Sequence, residues 1–143
     1  VIVGRHTEYT DKIERFIKEN KLEERVHIIS NVPFDDLPAF YQLAEIFVYP
    51  SRFEGFGIPI IEALYSDIPV VAATGSCLEE AGGPDSIYVH PDDIKGMANA
   101  FKQIYSDTER KKEMIEKGQK FAKRFSEEKQ AEEILNIYKK LMK

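Results

Sequence analysis

Apolar residues fall into two different rhythms along the chain. Short runs at Val1-Ile2-Val3, Val26-His27-Ile28-Ile29, Ile46-Phe47-Val48-Tyr49, Val70-Val71-Ala72-Ala73 and Ile87-Tyr88-Val89 are bounded by turn residues and predict strands. Between them the apolar positions recur at helical spacing. Ile13, Phe16 and Ile17 predict one face of a helix from about Glu8 to Asn20, and Leu37, Phe40, Tyr41 and Ala44 mark a second helix with Asp35-Asp36 at its positive end. A short helix is predicted from Pro59 to Tyr65, and a single turn at Leu78-Glu79-Glu80-Ala81. Pro91-Asp92-Asp93 starts a helix with Ile94, Met97, Ala98, Phe101 and Ile104 on one face. Thr108 to Phe125 is amphipathic through Met114, Ile115, Phe121, Ala122 and Phe125. Ser126 is the expected N-cap of a last helix, whose apolar face is Ala131, Ile134, Leu135, Tyr138, Leu141 and Met142. Strands alternating with helices predict an α/β fold, a Rossmann-like doubly wound parallel sheet with helices on both faces.

The stretch from Ile46 to Ala73 organises the rest. It reads as a strand, a loop holding Glu54-Gly55-Phe56-Gly57, a helix and a second strand, which is a βαβ unit with glycines where its helix begins. Glycine lets bare backbone N–H groups approach an anion, and the helix dipole favours negative charge there. Pro59 suits the first turn, where a missing N–H costs nothing. Glu54 precedes the glycines and Glu62 lies about one turn into the helix. Either alone reads as a solvated loop acid or a dipole-stabilised acid. Together, around Gly-Phe-Gly, they suit a diphosphate with a polyol at each end, because a carboxylate accepts hydrogen bonds from neighbouring hydroxyls.

These residues resemble a known family, the retaining GT-B glycosyltransferases of family 4 (glycosyl transferases group 1), in their C-terminal, donor-binding domain. The likeness runs through Tyr41 and Ala44, Pro50-Ser51, Glu54-Gly55-Phe56-Gly57, Pro59, Glu62-Ala63 and Pro69-Val70-Val71. It continues through Leu78, Glu80, Gly83, Tyr88-Val89, Pro91 and Asp92-Asp93, so it covers nearly the whole chain. The two acids form the family's E-x7-E pattern. The resemblance implies a nucleotide-diphosphate sugar donor, such as a UDP- or GDP-sugar, and transfer of its sugar with retention at the anomeric carbon. It implies that Glu54 orients the donor sugar and helps stabilise charge at the sugar carbon, and that Glu62 holds the ribose diol. The amides of Gly55, Phe56, Gly57 and Ile58 would face the sugar and distal phosphate, with Ser30, Asn31 and Val32 near the base. No metal or other cofactor is implied in this domain, and Glu80 is expected to be structural. The rival readings are a noncatalytic nucleotide-binding module, or another GT-B enzyme such as a sugar epimerase or phosphorylase.

Several residues read more plainly. Tyr41, Tyr49 and Phe53 are expected to pack in the core or at its rim, with Phe53 able to line a cleft. Cys77 is expected to be a small buried packing residue, and His6, His27 and His90 share no metal-ligand spacing. Asp67 stands where many relatives carry glycine, a modest departure because aspartate tolerates left-handed backbone.

Composition narrows the partners. The 143 residues suit one domain, residues 1–143, and the net charge of −5 argues against nonspecific nucleic-acid binding. No apolar run approaches the roughly 20 residues a membrane span needs. The single cysteine excludes an intrachain disulfide and is compatible with a reducing compartment. The family's diphosphate-clamping Arg and Lys lie upstream of the first strand, and Arg5 and Arg52, the nearest basic residues on edge loops, do not match that pair. The chain is therefore expected to be a piece of a longer polypeptide, lacking the first βα unit and an N-terminal acceptor-binding domain against which the last helix packs. That parent is expected to be cytoplasmic, with any peripheral contact at the inner membrane face made by the other domain. The isolated chain should show little or no transferase turnover with a matched donor and acceptor; robust product formation would contradict this.

Overall fold

A computed structural model describes residues 1–142. Its backbone divides into two compact units, Val1–Ala39 and the chain from Phe40 onward. In the first unit β1 (Ile2–Val3) and β2 (Ile28–Ile29) pair in parallel, with Ile2 opposite Ile28, and α1 (Glu8–Glu19) forms the crossover. At the start of α1 the Thr7 N–H donates to Thr10 Oγ1 at 2.9 Å. β2 is shorter than the predicted Val26–Ile29, because the Val26 N–H bonds back to the Leu22 carbonyl at 2.9 Å and so belongs to the preceding turn. Ile17 of α1 is buried and Ile13 half-buried, but Phe16, predicted on the same face, is 60% exposed. Phe16 lies roughly 100° around the helix from Ile17, which takes it to the rim of a narrow apolar face.

A 3₁₀ turn at Phe34–Asp36 leads into α2 (Leu37–Leu43). The second unit holds the parallel sheet β3 (Phe47–Tyr49), β4 (Val70–Ala73) and β5 (Ile87–Val89), in that spatial order. Phe47 faces Val70 across the first pair and Val71 faces Ile87 across the second. The middle strand is buried throughout, as a strand covered on both faces must be. Val70 and Ala72 share one face with Ile60, Ala63 and Leu64 of α3 (Ile58–Tyr65) and Leu78 and Ala81 of α4 (Leu78–Gly82). Val71 points the other way, toward Ala100 and Ile104 of α5 (Ile94–Ser106) and Met114 of α6 (Thr108–Ala122). The predicted α/β arrangement is therefore present, as parallel strands within each unit and, in the second, helices on both faces of β4. Full burial of side chains such as Ile60, Leu78 and Ile104 contributes roughly 1.5–3 kcal/mol each.

Local chemistry sets the helix limits. Asp93 Oδ1 accepts from the Gly96 N–H at 2.8 Å and Asp107 Oδ1 from the Arg110 N–H at 2.8 Å. Ser126, the predicted cap, accepts from the Lys129 N–H at 3.3 Å and opens α7 (Glu127–Leu141). The predicted helix to Phe125 instead ends at Ala122, and Lys123–Phe125 tighten into a 3₁₀ turn. Gly118 lets α6 approach α3, since a Cβ there would lie 2.7 Å from Leu64 Cδ2. No residue of α7 is buried among those described, and its apolar stripe, Ile134, Leu135, Ile137, Tyr138 and Leu141, stays more than half exposed.

Tyr88 joins β5 to the end of α4 by donating its phenol to the Gly83 carbonyl at 2.6 Å. Burial pushes this phenol up to about 12 from the usual 10.0. Folding thus favours the neutral form; the associated stability is complete below the unfolded value and is lost as pH climbs from about 10 to about 12. Tyr88→Phe should lower stability at neutral pH by about 1 kcal/mol. In urea unfolding followed across that alkaline range, its stability should fall less steeply than that of the parent.

Candidate functional site

Beyond β3 the chain enters a loop, Pro50 to Gly57, that is tied to the segments beyond β4 and β5. Ser51 Oγ donates to the Phe53 carbonyl at 3.3 Å. The Arg52 guanidinium makes a two-point contact with Asp92, beyond β5, with Nη1 donating to Oδ2 at 3.2 Å and Nη2 to Oδ1. That hydrogen bonding holds the Asp92 carboxyl below its usual range. Cys77, beyond β4, donates its thiol to the Glu54 carbonyl at 3.2 Å. Cys77 is only half-buried, not the buried packing residue expected from sequence, because its thiol turns to the Glu54 carbonyl and ties the loop.

The loop closes at Gly57, whose φ of 110° lies in the left-handed region. A Cβ at Gly57 would sit 2.9 Å from Leu78 Cδ2 and 3.2 Å from Ala81 Cβ, so both its torsion and its contact with α4 require glycine. Gly55 is different: a Cβ there would meet nothing within 4 Å. The Ile60 N–H bonds to the Gly57 carbonyl at 2.9 Å, and Pro59 has no N–H to satisfy. Among the described residues the N–H groups of Gly55, Phe56, Gly57 and Ile58 donate to no protein acceptor. Four such donors run up to the positive end of α3, where an anion is favoured. The Phe56 ring packs edge-on against Phe125, with centroids 5.6 Å apart, and leaves its amide as the part available to a ligand.

The two acids flank these donors in the chain, and both are half-buried. Tyr49 donates its phenol to Glu54 Oε1 at 2.8 Å, and Tyr41 donates to Glu62 Oε2 at 2.8 Å. Tyr41 and Tyr49 pack against the core as expected, and each phenol has a hydrogen-bonding role in addition. Burial first, and the facing carboxylate second, push Tyr49 up to about 12 and Tyr41 further in the same direction. Both phenols therefore remain protonated donors throughout the physiological range. Sequence reading missed these partners because Tyr41 and Glu62 are 21 residues apart and meet only through packing.

Other predicted residues are placed as follows. Ser30, Asn31 and Val32 follow β2 in the first unit; Ser30 and Val32 are half-buried, and Asn31 is exposed with φ 59°. Phe53 is 91% exposed. Glu79, an acid the sequence did not single out, braces the loop beyond β4, accepting from Thr74 Oγ1 and from the Gly75 N–H at 3.1 Å. Helical geometry presents only one of two adjacent acids to a given neighbour. Asp67 has φ 59°, as expected for a position that glycine would also fit. His6 lies beside Asp11 and Glu14, at 3.5 and 3.8 Å, all three exposed, a proximity that sequence spacing did not reveal. Among the described residues no helix is long and apolar enough to cross a membrane.

The family model for glycosyl transferases group 1 matches residues 1–121. O-antigen chain mannosyltransferase B of Escherichia coli is 32% identical over 131 residues, covering 92% of this chain and 34% of that protein. The chain spans about a third of the length of the curated relatives it matches. Among solved structures, sucrose-phosphate synthase from Thermosynechococcus elongatus gives a TM-score of 0.83 at 26% identity, covering 98% of this chain and 37% of that one. Anabaena Alr3699/HepE, in complex with UDP and glucose, gives 0.85 at 23% identity, covering 96% of this chain and 39% of that one, a likeness of fold.

The two loop glycines should separate in a stability test. Gly57→Ala should lose about 1–3 kcal/mol through left-handed strain and the clash with α4, read as a lowered thermal midpoint. Gly55→Ala should stay within about 0.5 kcal/mol of the parent.

Proposed function

The chain belongs to the family of glycosyl transferases group 1, as a C-terminal-type GT-B domain, and from that premise we propose that the segment from Tyr49 to Glu62 is its nucleotide-sugar half-site. The observation that carries this reading is the run of four unpartnered amides at the start of α3, set between two acids that phenols hold in place. In this reading the amides of Gly55, Phe56, Gly57 and Ile58 receive the diphosphate, with the α3 dipole adding to their attraction. Glu54 meets hydroxyls of the sugar and Glu62 the ribose diol. No metal from this domain is assigned to the site, since amides and dipole supply the local positive potential.

The reaction proposed for the whole protein is transfer of a sugar from a nucleoside diphosphate to an acceptor with retention. Glu54 then stands beside the anomeric carbon as an orienting and charge-stabilising group, and no covalent role is assigned to it. Names of relatives such as the O-antigen chain mannosyltransferase support this reading, as do UDP complexes of proteins with the same fold. Acceptor recognition, and cover for the bare stripe of α7, are assigned to an N-terminal domain. The same reading places the protein in the cytoplasm, where nucleotide sugars are held, with any membrane contact made outside this chain.

Calorimetry with UDP, GDP, UDP-glucose and GDP-mannose tests the assignment. Glu62→Ala should weaken binding of the nucleoside diphosphates about tenfold or more, the value of a hydrogen bond to a charged group. Glu54→Ala should mainly weaken the sugar-bearing ligands. Unchanged affinity for both variants would remove the assignment.

A further inference from the structure

The two acids are held by a single row of aromatic rings. Phe47 and Tyr49 stand two apart on β3 and so project from the same face of the sheet. Tyr41 of α2 lies against Phe47 with centroids 5.4 Å apart, and Phe47 stacks on Tyr49 at 5.8 Å. All three rings pack against the cluster that contains Ile60, Ala63 and Leu64 of α3. The outer two rings of the row each end in a hydroxyl, and each hydroxyl takes one oxygen of one acid. Among the described residues, Glu54 Oε2 and Glu62 Oε1 have no protein partner.

A carboxylate on a long side chain is a broad twofold rotor, so an unbraced acid presents either oxygen over a range of directions. A phenol donor on one oxygen removes that freedom and fixes where the other oxygen points. The ordering is then complete before a ligand arrives, and less of the binding energy goes into immobilising the acid. We propose that Tyr41 and Tyr49 are positioning residues that commit Glu62 Oε1 and Glu54 Oε2, one oxygen each, to the two polyol ends of a nucleoside diphosphate sugar. This rests on the donor-site reading above and adds to it a separable claim. Tyr41 governs affinity for the nucleoside end, and Tyr49 governs discrimination in favour of the sugar-bearing ligand. The phenols act through the acids and touch no reacting atom.

The test is a pair of double-mutant cycles on the full chain, with UDP, GDP, UDP-glucose and GDP-mannose as probes in calorimetry. Phenylalanine keeps the ring row and deletes only the hydroxyl, and circular dichroism with thermal melts verifies that the variants fold. Tyr41→Phe should weaken nucleoside diphosphates and nucleotide sugars alike, by about fivefold, the scale of one hydrogen bond. Tyr49→Phe should weaken only the nucleotide sugars by a similar factor, leaving UDP and GDP unchanged. Neither phenylalanine change should weaken binding further when its own partner, Glu62 or Glu54, is already alanine. Effects that persist undiminished in those alanine backgrounds overturn the inference, because a general structural role would produce them. It is also overturned if the phenylalanine variants bind as the parent while the Glu→Ala variants do not, and in that outcome the donor site itself stands. Binding unchanged by either Glu→Ala variant, or no binding by the parent, removes the donor site and this inference together.

Discussion

The close contact of α3 with α4 at Gly57 is the constraint on which both the core and the site depend. The Ile58–Tyr65 helix must bury Ile60, Ala63 and Leu64 against β4 while its N-terminal end stays open. A side chain at Gly57 would strike Leu78 and Ala81, so the chain passes that point only as a left-handed glycine. With the turn set, one face of α3 completes the hydrophobic layer and another carries Glu62 to Tyr41. Packing and the geometry of the candidate site thus come from the same eight residues.

The loop in front of that helix is short of buried apolar surface and is held by directed contacts instead. Asp92 holds Arg52, the Cys77 thiol holds the Glu54 carbonyl, and Glu79 holds the loop beyond β4 at Thr74 and Gly75. The anchors come from beyond β4 and β5, so parallel pairing brings three strand ends to bear on one segment. The Arg52 contact with Asp92 is solvent-exposed, and an exposed pair of this kind contributes to stability only weakly. Its effect is geometric, tying the loop after β3 to the segment after β5.

Surface character differs sharply between elements. The helices around β4 bury Ile60, Leu64, Leu78, Ile104 and Met114, although Ile58, Ile94 and Tyr105 stay exposed. By contrast, α7 carries Ile134, Leu135, Ile137, Tyr138 and Leu141 in solvent and buries none of its described residues. An apolar helical stripe of that extent is a surface built for contact. In the proposed function its contact is the acceptor-side domain.

Short-range information was enough for much of the architecture. The period of apolar residues located β4 and β5 at their observed limits, and the Ser126 cap and the start of α5 followed from residues within one turn. The position of Gly-Phe-Gly at the start of α3, with Glu54 before it and Glu62 on the helix, was legible as well, because the glycines and the helix start are neighbours in sequence. Tertiary structure decided what was not local. Tyr41 and Tyr49 became hydrogen-bond donors, Glu79 became the loop brace, and Arg52 went to Asp92. Each of these depends on which side chains the folded chain brings within about 3 Å. Periodicity says which face of an element turns inward, but not which polar atom waits there, because that partner is fixed by strand register and helix packing across tens of residues.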